Sequence, residues 1–305
     1  MDSLDAIFGA PLQVDPAVAL PRPQVLAPQS GPAYAVQLVA EVVGPRSMPA
    51  ALVRRLLSPD LQGALGSPEL FVMRASDVSW QRLTDSDDGS YDSLVAAWDL
   101  LSDRGQLSAN SASQLVDTLE GFAQAVQRRV IPLPIPTDIA KQVQQAELLK
   151  ENLDVGVTRI VVPRSGWVLE RDLWLACAAL GLEFSPTGSF DWRAPNHASP
   201  LFSVTRIGVT ESFSLGAVKL GATHEGVSVG FSLPLSPDPI VGFEGMLNAC
   251  AVLAQLTNGI VADEEGSPTQ DAAEQQVLRE LREPVRVLTE AGIAPGSAAA
   301  TKLFG

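Results

Sequence analysis

Apolar residues recur along this chain at two spacings, every second position in short stretches and every third or fourth in long ones. The order of stretches is passed through twice. The first pass opens at Ala35-Val36-Gln37-Leu38-Val39-Ala40-Glu41-Val42-Val43, whose β-branched content predicts a strand. Residues 48–57 read as a short helix ending before Pro59. Residues 70–74 and 79–83 pair as a hairpin, and 93–101 is a further strand before the turn at Asp103-Arg104-Gly105. Two helices follow, 108–128 with Leu115, Leu119, Phe122 and Val126 on one face, and 137–152. The second pass runs from strand 155–162 through helix 168–180 to strands near 183–185, 190–193, 201–207, 214–220 and 227–233. Helix 239–256, a short strand 260–262 and helix 270–291 complete it, with Pro284 expected to kink or divide the last helix.

In each pass the strands cluster and the longest helices come late. This favours an α+β chain of two domains, each an antiparallel sheet with helices packed on one face, over a doubly wound parallel sheet. Laying 108–128 over 239–256 gives an internal offset of roughly 120–130 residues, too long for a solenoid unit and suited to a duplicated domain. The tandem duplication rests on element order, because identity between the halves is faint; two unrelated α+β domains are the alternative. Either way the second face of each sheet is left uncovered, and an uncovered face with apolar residues is a candidate peptide groove.

Residues 1–33 carry Pro11, Pro16, Pro21, Pro23, Pro28 and Pro32 with little periodicity, as an extended, disordered arm or linker would. The expected division is therefore arm 1–33, first domain 34–153, second domain 154–291 and tail 292–305. With 305 residues, 46% of them hydrophobic and 18% charged, the chain is long enough for two ordinary cores. Its net charge of -14 would repel a phosphate backbone or an anionic lipid surface, which argues against nucleic acid and direct membrane contact. Cys177 and Cys250 lie in apolar helical patterns and read as buried free thiols of a reducing compartment. With no run of about 18 apolar residues and no signal-like N-terminus, no transmembrane segment is expected in this chain, which reads as cytoplasmic.

Catalytic chemistry is hard to assemble from what remains. The acidic turn Asp85-Ser86-Asp87-Asp88-Gly89 fails calcium-loop spacing, since the twelfth position is Ala96 where a bidentate glutamate is wanted. His197 and His224 stand in polar turn settings outside any motif, and no nucleophile elbow, zinc-spaced cysteine pair, Walker loop or dinucleotide fingerprint occurs. The expectation is no enzyme, no cofactor and no metal. Only an unforeseen pocket uniting His197, Asp191 and Glu211 would argue otherwise.

The stretch Gly226-Val227-Ser228-Val229-Gly230-Phe231-Ser232-Leu233-Pro234, the capped helix after Asp238-Pro239, and the run from Asp263 to Thr269 resemble the C-terminal, FtsZ-binding domain of the ZipA family of bacterial division proteins. The likeness covers 155–291 element by element, with 34–152 as a preceding divergent domain. It implies a noncatalytic cell-division adaptor that binds the C-terminal peptide of FtsZ, an apolar helix with basic residues, in a shallow cleft on the exposed sheet face of the second domain. It would act in Z-ring and septum assembly at the cytoplasmic face of the inner membrane. The cleft residues it implies are Thr158, Ile160, Phe190, Ile207, Val209, Ser228 and Gly230. Gly230 and the region of Gly188 stand where the family's best-known cleft has a phenylalanine and methionines. An interaction scaffold of the same fold that recognises a different peptide is therefore the alternative, and the oligomeric state is left open.

Overall fold

The computed structural model describes residues 19–25, 27, 30–74, 77–84, 89–207 and 212–305, so most of the proline-rich arm and Asp85–Asp88 of the acidic turn lie outside the described residues. The chain divides into two compact units. One comprises Pro28–Asn152 together with Ala291–Gly305, the other Leu153–Glu290 with the N-terminal residues up to Ala27.

In the first unit the central strand is β1 (Gln37–Val43), followed by β2 (Glu69–Arg74), β3 (Asp77–Arg82), β4 (Ser93–Asp99), helix α1 (Ala109–Ala125), β5 (Arg129–Leu133) and helix α2 (Ile139–Leu153). The sheet order is β3-β2-β4-β1-β5 and each pairing is antiparallel. Alternation along the strands sends Leu38, Ala40, Val42, Leu70, Val72, Leu94, Ala96 and Trp98 to one face, where they form one core with Leu119 and Ala123 of α1 and Ile139 and Val143 of α2. Strand β5 was not expected from the pattern because Pro132 interrupts it. It lies at the sheet edge, where a residue without an N–H is tolerated.

In the second unit the elements are β6 (Gly156–Pro163), α3 (Glu170–Ala179), β7 (Glu183–Phe184), β8 (Phe190–Trp192), β9 (Phe202–Arg206), β10 (Val227–Ser232), α4 (Pro239–Leu256), β11 (Gly259–Ala262), α5 (Asp271–Glu280) and α6 (Arg282–Glu290). The order is β7-β8-β9-β10-β6-β11, antiparallel at every step. Both units are thus α+β, as the pattern of strands and late helices requires.

Several local expectations change. Residues 214–220 form a helical turn at Leu215–Lys219 and no strand, because Ser214 Oγ caps it by accepting from Ala217 N at 3.1 Å. The helix expected over 270–291 divides at Leu281, which leaves Pro284 in the first turn of α6, where its missing N–H has no intrahelical acceptor to lose. The tail beyond residue 291 contains a further helix, α7 (Ala298–Phe304), and belongs to the first unit. Part of the arm also packs: Leu20 N donates to Leu180 O at 3.4 Å in the second unit.

Helix α4 is held at its start by Asp238, whose Oδ1 accepts from Ile240 N and Val241 N, both at 3.1 Å. Asp238→Ala is expected to cost about 1 kcal/mol, measured as a shift in urea midpoint without change in slope. Among the described residues α4 is long and apolar enough to cross a membrane by length and composition, a test that the buried core helix of a soluble protein also passes. Asn248 and Gln255 interrupt its apolar residues, and Glu244 is its only charge. Half of the stretch is buried, including Phe243, Met246, Ala249, Cys250 and Leu253. Burial pushes the Cys250 thiol up to about 12 and raises that of Cys177 as well.

Candidate peptide-binding site

Register fixes which side chains share a face of the second sheet. Thr158 pairs with Gly230, Gly230 with Ser203, and Ser203 with Asp191; one step along, Ile160 pairs with Ser228 and Ala262, and Ser228 with Thr205. Directly opposed residues point the same way, so these positions line one face. Val157, Val161, Val227, Val229, Phe231, Phe202, Val204 and Trp192 stand on the other and are buried.

The helices lie against that second face. Trp174 of α3 meets Phe190 edge-on at 4.9 Å between ring centroids. The Arg159 guanidinium sits 5.9 Å from the ring centroid of Phe243 in α4 and makes two hydrogen bonds to Glu274 of α5, at 2.8 and 2.7 Å. Those bonds to Glu274 hold the Arg159 pKa above its ordinary value against the effect of burial.

Thr158, Ile160, Ser228 and Gly230 therefore share the face turned away from the helices and are half-buried. Ile207 extends the alternation Ser203, Thr205, Ile207, and its N–H donates to Gly226 O at 3.1 Å. Val209 lies outside the described residues. Phe190 does not belong with the others. It pairs with Val204 on the helix side, is only 3% exposed, and forms an aromatic cluster with Trp174, Phe184 and Phe213. Its neighbour Asp191 takes the place in the register that the sequence expectation gave to Phe190.

The face carries more polar groups than the apolar expectation implied. Asp191 is 3% exposed, accepts from Ser189 Oγ at 2.8 Å and Ser203 Oγ at 2.7 Å, and pairs with Arg193. Three donors thus engage this carboxylate, and Glu211 lies outside the described residues. Val162 and Ile260, paired across β6 and β11, extend the apolar end of the face. Val162 was discoverable from the sequence, since Thr158, Ile160 and Val162 alternate, whereas Ile260 joins them only through strand pairing. Gly230 has its own reason to be small: a Cβ there would stand 2.8 Å from Val157 O and 3.0 Å from Thr158 Oγ1. The middle of the face is bare backbone between Thr158 and Ser203.

An antiparallel sheet backed by helices on one side presents its strand residues on the other, the kind of surface that receives a peptide or helix. Residues 156–280 match the family described as ZipA, C-terminal FtsZ-binding domain. The family is one of noncatalytic adaptors and contains no enzyme activity. The chain is also similar to Cell division protein ZipA of Colwellia psychrerythraea (strain 34H), 29% identical over 162 residues, which is 52% of this chain and 42% of that protein. It thus spans less than half the length of that curated relative.

Proposed function

We propose that this chain is a cell-division adaptor whose second unit binds the C-terminal peptide of FtsZ on the sheet face formed by Thr158, Ile160, Ser228, Gly230 and Ile207. The observation that carries the reading is the family match over 156–280, joined to a sheet against whose opposite face α3, α4 and α5 make contact. A helical peptide would set apolar side chains over Ile160, Val162 and Ile207, and basic residues would be drawn toward the recess where Asp263, Glu264, Glu265 and Glu280 gather beside Thr158. Its place would be the division septum on the cytoplasmic side of the inner membrane. The same element pairs recur in both units: β1 with β6, α1 with α4, β5 with β11, and the bridges Met48↔Tyr91 and Val168↔His224. This supports a common origin, while the outer strands are connected in different orders.

The test is fluorescence anisotropy of a labelled FtsZ C-terminal peptide titrated with the full chain. Saturable micromolar binding is expected. Ile160→Glu and Ile207→Glu, which put a charge under an apolar anchor, are expected to weaken it at least tenfold, about 1.4 kcal/mol or more, with the urea midpoint of the variants confirming a folded chain. No saturation up to about millimolar, some 4 kcal/mol of standard free energy, sinks the FtsZ assignment. The second reading, the same fold directed to a different peptide, is favoured by the polar set Ser203, Thr205, Ser228 and Asp191 on the face, and a peptide array would then identify the ligand.

A further inference from the structure

The first sheet has a counterpart of this face, and the chain's own end is tied to it. Gln37 pairs with Asp99, Val39 with Ala97, Glu69 with Ala97, and Phe71 with Val95, all on the side away from α1 and α2. Val39, Phe71, Val95 and Ala97 form a separate buried apolar cluster there, with Trp80 against it. Beyond residue 290 the chain enters helix α7, started by Ser297 Oγ, which accepts from Ala300 N at 3.2 Å. Lys302 Nζ lies 2.7 Å from Glu69 Oε2 and 3.0 Å from Asp99 Oδ1.

The receptor side is built in advance of the lysine. Gln37 is fully buried; its Oε1 accepts from Ala33 N at 2.7 Å, and its Nε2 donates to Glu69 Oε2 at 3.0 Å and Asp99 Oδ1 at 2.8 Å. A fixed amide thus holds two carboxylates together as a cation seat. The ligand side is amphipathic: Ala299, Ala300, Leu303 and Phe304 are buried while Ala298, Thr301 and Gly305 are exposed, a stripe at helical spacing. Seven residues are too few for a helix to hold its shape alone, so α7 owes its order to docking.

We propose that this face of the first sheet is a second helix-docking site, closed in cis by residues 298–304, and that it accepts in trans a short amphipathic helix of the same chemistry, a Leu-Phe anchor pair beside a lysine. The Glu69–Asp99 seat would set register and choice of partner, and burial of Ala299, Ala300, Leu303 and Phe304 would add to the strength of docking. The tail then acts as a competitive plug whose release exposes the site.

The electrostatics give the docking a pH window. Burial raises the Glu69 pKa, but hydrogen bonds from Lys302 and Gln37 and the charges of Lys302 and Arg82 outweigh it and hold the carboxyl below its ordinary range. Burial lowers that of Lys302, but its hydrogen bonds to Glu69 and Asp99 prevail and hold it above. A depressed carboxylate favours docking above its free pKa and loses that contribution as pH falls through the docked value; a raised lysine loses its contribution as pH rises through the docked value. The groups facing this seat are Glu69, Asp99, Arg82 and Lys302. Docking is therefore strongest around neutrality.

The test places a protease site between Pro295 and Gly296 of the full chain, cuts the folded protein, and titrates it with a fluorescein-labelled peptide of residues 291–305. Expected are saturable exchange in the cut protein, at least tenfold weaker uptake by the uncut chain, and at least tenfold weaker binding of the K302E peptide, with K302R largely retaining affinity. Uptake should also fall as the solution is taken to acid. A tail that never exchanges after cutting, or a first unit that loses its far-ultraviolet signal when the tail leaves, overturns the proposal and makes α7 an integral part of the core. Equal binding of the K302E peptide overturns the carboxylate seat. Because the FtsZ peptide is titrated separately against the Ile160 variants, failure at one face is distinguishable from failure at the other.

Discussion

Glu170→Ala is expected to destabilise the second unit by about 3–5 kcal/mol, enough to consume a large part of an ordinary domain's stability. Glu170 is a carboxylate with no exposed surface at the start of α3. Its Oε1 accepts from Ser214 N at 2.6 Å and from Trp174 Nε1 at 3.3 Å, and its Oε2 meets His224 Nε2 at 2.7 Å and Arg206 at 3.3 Å. One side chain therefore ties α3 to the end of β9, to the turn before Leu215, and to the bridge ahead of β10. Removing it takes a buried negative charge from beside the Arg206 guanidinium, only 10% exposed, and takes the acceptor from Ser214 N. Glu170→Gln keeps the volume and one acceptor and is expected to cost less than alanine, which separates lost charge from lost packing. Chemical denaturation followed by Trp fluorescence measures both, and a loss under 1 kcal/mol for alanine would show that the network relaxes around water. Because Arg206 is adjacent to Ile207, the alanine variant is also expected to weaken peptide binding, by loosening the strand end that presents it.

The sequence announces this network poorly, and the reason is physical. Apolar patterning and β-branched content report which residues leave water, and together they located β1, β4, β6, β10, α1, α2 and α4 because each is long enough to carry the signal. Such patterning has no means of marking a glutamate as buried when the groups that neutralise it, Arg206, His224 and Ser214, are dozens of residues away. The same limit explains Phe190. Three residues of strand β8 give no alternation to settle its facing, and only the pairing with Val204 assigns it to the helix side. Short elements failed for similar reasons: Leu215–Lys219 is a single turn fixed by the cap of Ser214, and α7 is fixed by its docking. Thr158, Ile160, Ser228 and Gly230, which the family resemblance supplied, stand together on one face of two long strands, but the polar half of that face depends on Asp191 and the serines that bind it.

Gly245→Ala is expected to lower stability by about 2–3 kcal/mol, although alanine is the better helix former by about 1 kcal/mol at an ordinary interior position. Gly245 lies in the middle of α4, and a Cβ there would stand 2.2 Å from Cζ3 and 2.7 Å from Cη2 of Trp192. The indole is 5% exposed and lies tilted against Phe202 at 5.3 Å between centroids, so it cannot swing aside without opening the core. Clash outweighs propensity because the obstacle is a rigid ring wedged between helix and sheet. Larger residues should fare worse, with Gly245→Leu failing to fold. Trp192→Phe on the Gly245→Ala background is expected to recover part of the loss, giving a favourable coupling of about 1 kcal/mol in a double-mutant cycle. Strictly additive effects would rule out this contact as the cause. The packing has a consequence on the opposite side of the strand. By pinning Trp192 to α4, the glycine fixes the facing of β8, and that facing turns Asp191 toward the face proposed to receive the peptide. A variant that keeps its fold by rotating the indole should therefore change the binding face as well, and the anisotropy titration of Gly245→Ala reads that change directly.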